Sequence, residues 1–262
     1  MALVKINQAE YYYELHGRGQ TIVLIAGYTC DSSFWTPILD ELTKSFQVLI
    51  FDNRGIGRTI DNGERITAEL IAKDIIELIR YLGIKNPHIV GHSMGGTIAQ
   101  CLASTYFAEI DKLVLLHTAA KWRSAMLAGL KSLLLLRTQN VDFDSIYAAT
   151  IPWIFGSKFL SDQNQINTFK QILSNNPYPQ TIENQQRQFE ALVNFDGRNL
   201  GGLIKAPTLV GYGEEDLISL PHEAANLAHG ISNAKLVSIP GAHGVTIDAP
   251  NELIQLLTEF LC

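Results

Sequence analysis

Gly91-His92-Ser93-Met94-Gly95-Gly96 is the stretch on which the fold turns. The residues before it, His88-Ile89-Val90, are short and apolar, as a buried strand should be, and Thr97-Ile98-Ala99-Gln100-Cys101-Leu102-Ala103 continues at helical spacing. A strand that turns at once into a helix leaves its central residue on a sharp corner. Side chains two positions either side of a serine there would collide, so Gly91 and Gly95 read as a steric requirement, and Gly96 lets the helix lie closer still. Placed in this way, the hexapeptide reads as an elbow presenting Ser93 as a nucleophile. A plain Gly-rich turn with a solvated serine is the competing reading, and the rest of the chain has to decide between them.

Working upstream, Thr21-Ile22-Val23-Leu24-Ile25-Ala26 is an unbroken apolar run ending at Gly27-Tyr28, which fits a central strand covered on both faces. Phe46 to Phe51 reads as another buried strand, with a helix expected between them from a cap at Ser32 or Ser33 to about Lys44. Residues 2 to 16 predict an opening β-hairpin. The polar loop Asp52-Asn53-Arg54-Gly55-Ile56-Gly57-Arg58-Thr59 follows the second run, and its Asp52 and Arg54 read as ties to neighbouring loops rather than a substrate clamp. Thr67 caps the next helix, on which Ile71, Ile75, Leu78, Ile79 and Leu82 share a face, and Gly83 ends it.

Downstream of the elbow, Lys112 to Leu116 gives one more strand. Alternating strands and helices require parallel pairing through crossovers, hence a sheet with helices on both faces. After Leu116 that rhythm stops. From Ala119 to Asn199 only helical pieces are predicted: Trp122 to Leu136, Asp144 to Phe155, Gln163 to Leu173 and Ile182 to Val193. The rhythm resumes with strands at Pro207 to Gly213 and Lys235 to Ile239 and closes with a helix from about Pro250 to Leu261. The fold class expected is α/β: a mostly parallel central sheet of about eight strands flanked by helices. Residues 1–118 and 200–262 form its core, and 119–199 an inserted helical cap.

A chain of 262 residues, 47% hydrophobic, can bury a substantial core. The net charge of −6 is dispersed, and without a basic stripe nucleic acid is excluded as an expected partner. No basic region followed by a long apolar run opens the chain, so a cytoplasmic location is expected, without membrane insertion. Cys30, Cys101 and Cys262 are odd in number and widely spaced, and read as free thiols rather than a disulfide framework or metal site.

A serine hydroxyl at neutral pH needs a base, and the base needs an acid to orient it. Two strands after the helical insertion end in loops that offer both: Gly213-Glu214-Glu215-Asp216 and Pro240-Gly241-Ala242-His243-Gly244. Asp216 and His243 are the natural pair, with Glu214 and Glu215 as solvated loop carboxylates. Of the remaining histidines, His222 and His229 fall on a helix, His92 lies within the elbow, and His16, His88 and His117 read as structural or surface residues.

The order Ser, Asp, His matches that expected behind such an elbow. With these residues in place, the whole chain resembles the α/β-hydrolase family, in particular its capped serine esterases, enol-lactone hydrolases and cofactor-free haloperoxidases. Matching segments include Ile25-Ala26-Gly27-Tyr28, Asp52 to Gly57, the elbow, Ala206 to Asp216, and Ile239 to His243. The resemblance implies catalysis by Ser93, His243 and Asp216, and an oxyanion hole from the main-chain N–H groups of Tyr28 and Met94. It implies no cofactor and no metal. One departure stands out: the family's histidine before the oxyanion-strand glycine is Ala26 here, which questions what holds that loop.

The function so implied is cofactor-independent hydrolysis of a small to medium carboxylic ester or lactone. Thioester, carbon–carbon bond or perhydrolase chemistry would use the same three residues. A slow-turnover ligand-binding or signalling protein on the same fold is the alternative of a different kind. Trp122, Trp153, Phe155 and Phe159 are candidates to line an acyl pocket or to pack the cap, and Arg123, Arg137 and Arg187 to hold a carboxylate.

Overall fold

In a computed structural model, which describes residues 2–262, the expected α/β architecture is present. Met1, the first residue of the expected core segment, lies outside the described residues. The strands are β1 (Ala2–Ile6), β2 (Ala9–Gly17), β3 (Thr21–Ile25), β4 (Gln47–Phe51), β5 (Ile60–Asp61), β6 (His88–His92), β7 (Leu113–Leu116), β8 (Thr208–Gly213) and β9 (Ala234–Ile239). Their spatial order is β1-β2-β4-β3-β6-β7-β8-β9, with the two-residue β5 pairing onto β2. From β4 onward along this order all pairings are parallel, whereas β1, β2 and β5 pair antiparallel at one edge.

The helices are α1 (Thr36–Leu42), α2 (Ala68–Tyr81), α3 (Met94–Thr105), α4 (Ser124–Thr138), α5 (Phe143–Ile154), α6 (Ser157–Leu160), α7 (Gln163–Ser174), α8 (Ile182–Asn194), α9 (Pro221–His229), α10 (Val245–Asp248) and α11 (Pro250–Leu261). Strands β3, β6 and β7 are buried along their whole length, and alternate residues serve two cores. Val23, Ile25, Ile89, Leu113 and Leu115 pack with α2 and α3 on one face, and Ile22, Leu24, Val90, Val114 and Leu116 with α1 and α11 on the other. This two-sided burial is why these strands read as continuous apolar runs rather than alternating ones. On α11, Leu253, Leu257 and Leu261 are all buried, each contributing up to about 1.5–3 kcal/mol.

Local signals set the element ends. The Thr67 side chain accepts from Leu70 N and caps α2 as expected. The expected helix from Ser32 or Ser33 to Lys44 is instead a 3-10 turn over Ser32–Trp35, capped by the Asp31 side chain, followed by α1. Pro37 in the first turn of α1 explains the break, because its missing N–H suits a new start. Among the described residues no strand forms between β7 and β8, and the five helices α4 to α8 occupy that interval. No helix of the described chain is long and apolar enough to cross a membrane.

Candidate active site

Ser93 ends β6 and begins α3 with φ 54° and ψ −119°, a conformation that costs a non-glycine residue on the order of 1–3 kcal/mol. The surroundings impose it. Ser93 N donates to Leu116 O at 2.9 Å, and Thr118 Oγ1 donates to Ser93 O at 2.9 Å. A Cβ on Gly91 would overlap the Gly95 carbonyl, and one on Gly95 would overlap the Ile25 carbonyl, so both glycines are there because backbone passes against backbone.

His243 follows β9 and turns its Nε2 to Ser93 Oγ at 2.9 Å, while its Nδ1 faces Asp216 Oδ2, also at 2.9 Å. The loops that carry the two residues are stapled together: Glu214 N donates to Ile239 O and Glu215 N to Gly241 O, at 3.1 and 2.9 Å. The other carboxylate oxygen, Asp216 Oδ1, accepts from Ile218 N at 2.8 Å and Ser219 N at 3.0 Å. Burial opposes ionisation of Asp216, but the His243 charge and hydrogen bonds from His117 and His243 outweigh it and hold the carboxyl well below its ordinary range. The Ser93, His243 and Asp216 side chains singled out from sequence are thus brought into one hydrogen-bonded chain.

Of the two readings left open for His117, structural or surface, the structure selects the first: it is fully buried at the end of β7 and donates from Nδ1 to the same Asp216 Oδ2 at 2.9 Å. The available signal was positional: like Ser93, it directly follows a central parallel strand. His92 donates from Nε2 to the His243 carbonyl at 2.8 Å, holding the base loop down. Burial lowers the pKa of His117, against the pull of Asp216, and lowers His92 further with help from the charges of His243 and His117. Both rings are neutral at neutral pH.

The loop after β3 lies against the serine. A Cβ on Gly27 would come within 3.0 Å of Ser93 Cβ, which leaves the main chain of Gly27 and Tyr28 at the mouth of the site. Met94 opens α3, where N–H groups have no intrahelical partner. Where the family has a histidine, Ala26 is held through its carbonyl by Asn53 Nδ2 at 3.0 Å, and Thr29 N donates at 3.2 Å to the side chain of Gln188 on α8. Gln188 is completely buried and its Nε2 also donates to Arg54 O at 2.8 Å. Inserted helix α8 therefore ties down this loop.

Asp52 and Arg54 have the structural roles expected of them. Asp52 accepts from Ser32 N and pairs with Arg58, and Arg54 is buried against Asp74 with its outer edge on Glu64. Glu214 is an exposed loop residue, but Glu215 is not merely solvated: it accepts from Ser157 N at 2.9 Å and from the Ser157 hydroxyl, anchoring the start of α6. Asp248 reinforces that anchor by accepting from Gly156 N at 2.9 Å and Ala242 N at 2.8 Å.

Above Ser93 is a cleft of about 140 Å³ whose walls include Trp122, Met126 and Trp153. The four aromatic candidates divide: Trp122 and Trp153 line the cleft, whereas Phe155 and Phe159 stack at 3.9 Å between ring centres and pack on Phe169. Cys30 also borders the cleft, but burial and the neighbouring Asp31 push its thiol up to about 12, so it carries no reactive thiolate at neutral pH. Of groups that could hold a metal, His117, Asp216 and His243 converge within 4.8 Å. Both ring Nδ1 atoms there are already engaged with Asp216 Oδ2, so a cation would have to displace the hydrogen bonds that orient His243.

Residues 20–250 match the family model of the alpha/beta hydrolase fold. A relative from Azorhizobium caulinodans, RutD, to which its name provisionally gives carbamate hydrolysis, is 27% identical over 97% of this chain and 96% of its own. A thermophilic esterase from Thermogutta terrifontis superposes with a TM-score of 0.86 at 25% identity, covering all of this chain and 98% of the other. The enol-lactonase from Burkholderia xenovorans gives the same TM-score at 24% identity and 99% coverage of both chains, a likeness of fold. With the family model spanning most of its length and its sheet order and elbow in agreement, the chain belongs to the α/β-hydrolase fold family.

Proposed function

We propose that the protein is a serine hydrolase that cleaves a small to medium carboxylic ester or lactone through an acyl-enzyme on Ser93. The observation that carries this reading is the relay from Ser93 Oγ to His243 Nε2 and from His243 Nδ1 to Asp216, both steps 2.9 Å, at the floor of an apolar cleft. Ser93 Oγ attacks the carbonyl carbon as His243 Nε2 takes its proton, and the main-chain N–H groups of Tyr28 and Met94 receive the oxyanion. His243 returns the proton to the departing alcohol, leaving the acyl ester on Ser93. Water then attacks that ester with His243 as base, and the acid is released. Asp216 holds the Nδ1–H tautomer throughout, and the helical insertion 119–199 serves as the cap that shapes the acyl pocket.

Turnover of p-nitrophenyl esters of rising chain length and of simple lactones, together with a single fluorophosphonate adduct on Ser93, is the expected result. Adduct formation that persists in Ser93→Ala would remove the assignment. The relatives named for carbamate hydrolysis favour a second reading in which the acyl group is a carbamoyl group. Faster turnover of aryl carbamates than of matched esters would select it.

A further inference from the structure

Away from Ser93 and His243 the cleft wall is mostly apolar, and Arg137 is its one charged side chain. Met126, Leu130, Leu133 and Arg137 line it at helical spacing along α4. That helix starts seven residues after His117, close to Ser93, and Arg137 lies eleven residues beyond Met126, roughly 16 Å along the axis. Of the three cap arginines considered for a carboxylate, two are already satisfied by acids: Arg123 pairs with Glu223, and Arg187 with Asp61. Arg137 is different. Its recorded partners are neutral: Nη1 donates to Gln185 Oε1, and Nη2 to the Gln180 carbonyl at 2.8 Å. A guanidinium has five N–H donors, so three remain.

Two further donors face the same spot. The Tyr28 side chain reaches from the loop beside Ser93 to lie by Arg137 and against the Gln185 amide, and its buried hydroxyl finds no acceptor for its own proton. Burial pushes that hydroxyl up to about 12, so it stays a donor. Gln185, itself buried, has its oxygen taken by Arg137 and its amide turned to the Tyr28 hydroxyl, which leaves one amide N–H to offer. A half-buried cation, a hydroxyl whose proton has no acceptor and an amide N–H, with no carboxylate in salt-bridge reach among the described residues, form a site that lacks its anion.

We infer that Arg137, Gln185 and the Tyr28 hydroxyl form a carboxylate subsite, so that the substrate is an ester or lactone whose acyl chain ends in a carboxylate. This rests on the serine-hydrolase reading for the chemistry, but not for the binding. A neutral chain of equal length would cover the Tyr28 O–H and the cleft-facing edge of the guanidinium without offering either an acceptor, which is what gives the subsite its discrimination.

The test compares mono-p-nitrophenyl esters of dicarboxylic acids, succinate to suberate, with p-nitrophenyl esters of monocarboxylic acids of equal length. At the length that spans Ser93 to Arg137, kcat/KM is expected to favour the carboxylate-tailed ester by about tenfold or more. That ratio should fall at least tenfold in Arg137→Gln, less in Arg137→Lys, and by several-fold in Tyr28→Phe. It should hold in Arg198→Gln, whose exposed guanidinium pairs with Asp196. Binding to Ser93→Ala protein, which needs no turnover, is measured with monomethyl pimelate against dimethyl pimelate. Carboxylate-tailed and neutral compounds handled alike at every length, or a preference unmoved by both Arg137→Gln and Tyr28→Phe, would overturn the subsite. Absence of ester turnover with Arg137-dependent binding of monomethyl pimelate would instead defeat the ester-hydrolase reading and leave the subsite standing.

Discussion

Asp216→Asn is the perturbation for which the geometry gives the most detailed expectation. Four N–H groups converge on this carboxylate: His117 Nδ1 and His243 Nδ1 on Oδ2, and the main-chain N–H groups of Ile218 and Ser219 on Oδ1. An asparagine must point its NH2 at one pair. Turned toward Ile218 and Ser219 it faces donors that cannot change, and two buried hydrogen bonds are lost, at about 1.5–3 kcal/mol each. Turned toward the histidines it forces both rings into the other tautomer. His117 Nε2, which has no partner in the structure, then carries a buried, orphaned N–H at a cost of about 1–3 kcal/mol. The second arrangement is the cheaper, and it also places a proton on His243 Nε2, where it faces Ser93 Oγ and blocks base catalysis. The variant should therefore lose turnover of p-nitrophenyl acetate by about 10⁴-fold and unfold more easily in urea by about 1–3 kcal/mol. In a His117→Phe background the tautomer-induced orphan is absent, so the stability cost of Asp216→Asn should shrink while the rate loss persists. Activity within tenfold of wild type, or a stability cost indifferent to His117, would refute the argument.

Other expectations follow from burial. Arg54→Met leaves Asp74 buried with only the Tyr11 hydroxyl and Asn7 as partners and should destabilise by about 3–5 kcal/mol, read as a melting temperature lower by on the order of ten degrees. Unfolding free energy should also fall as pH drops through about 6.5. His92 and His117 have lowered folded-state pKa values, so below that pH the unfolded chain binds protons that the folded one refuses. The limiting slope is about 1.4 kcal/mol per pH unit for each ring, and His117→Gln should flatten it by one ring's share in urea titrations between pH 7 and 5. A slope unchanged in that variant would remove His117 as a contributor. Trp153→Ala opens the cleft wall packed on Gly129 and should shift the preferred ester length upward, whereas Phe159→Leu should cost stability without moving it. Equal shifts in both would show that the wall is misassigned.

The elements that the sequence determined by itself are those whose cause is local or periodic. The elbow was legible because Gly91 and Gly95 are demanded by the backbone around Ser93. The central strands were legible because burial on both faces leaves an unbroken apolar run, and α2 because Thr67 caps an amphipathic face. Asp216 and His243 could be named because strand ends in a parallel sheet converge on one edge. What needed the tertiary structure depends on which distant surfaces meet. Nothing near Ala26 announces that Gln188, 162 residues on, replaces the missing histidine as the clamp on its loop. Nor does Glu215 look different from Glu214 until Ser157 is brought to it. His117 belongs to the acid only because β7 and β8 are neighbours in the sheet. Arg123, Arg137 and Arg187 are indistinguishable as sequence, since each is a charged residue in a segment whose spacing predicts a helix. Packing alone decides that two of them meet acids while the third is left facing the cleft above Ser93.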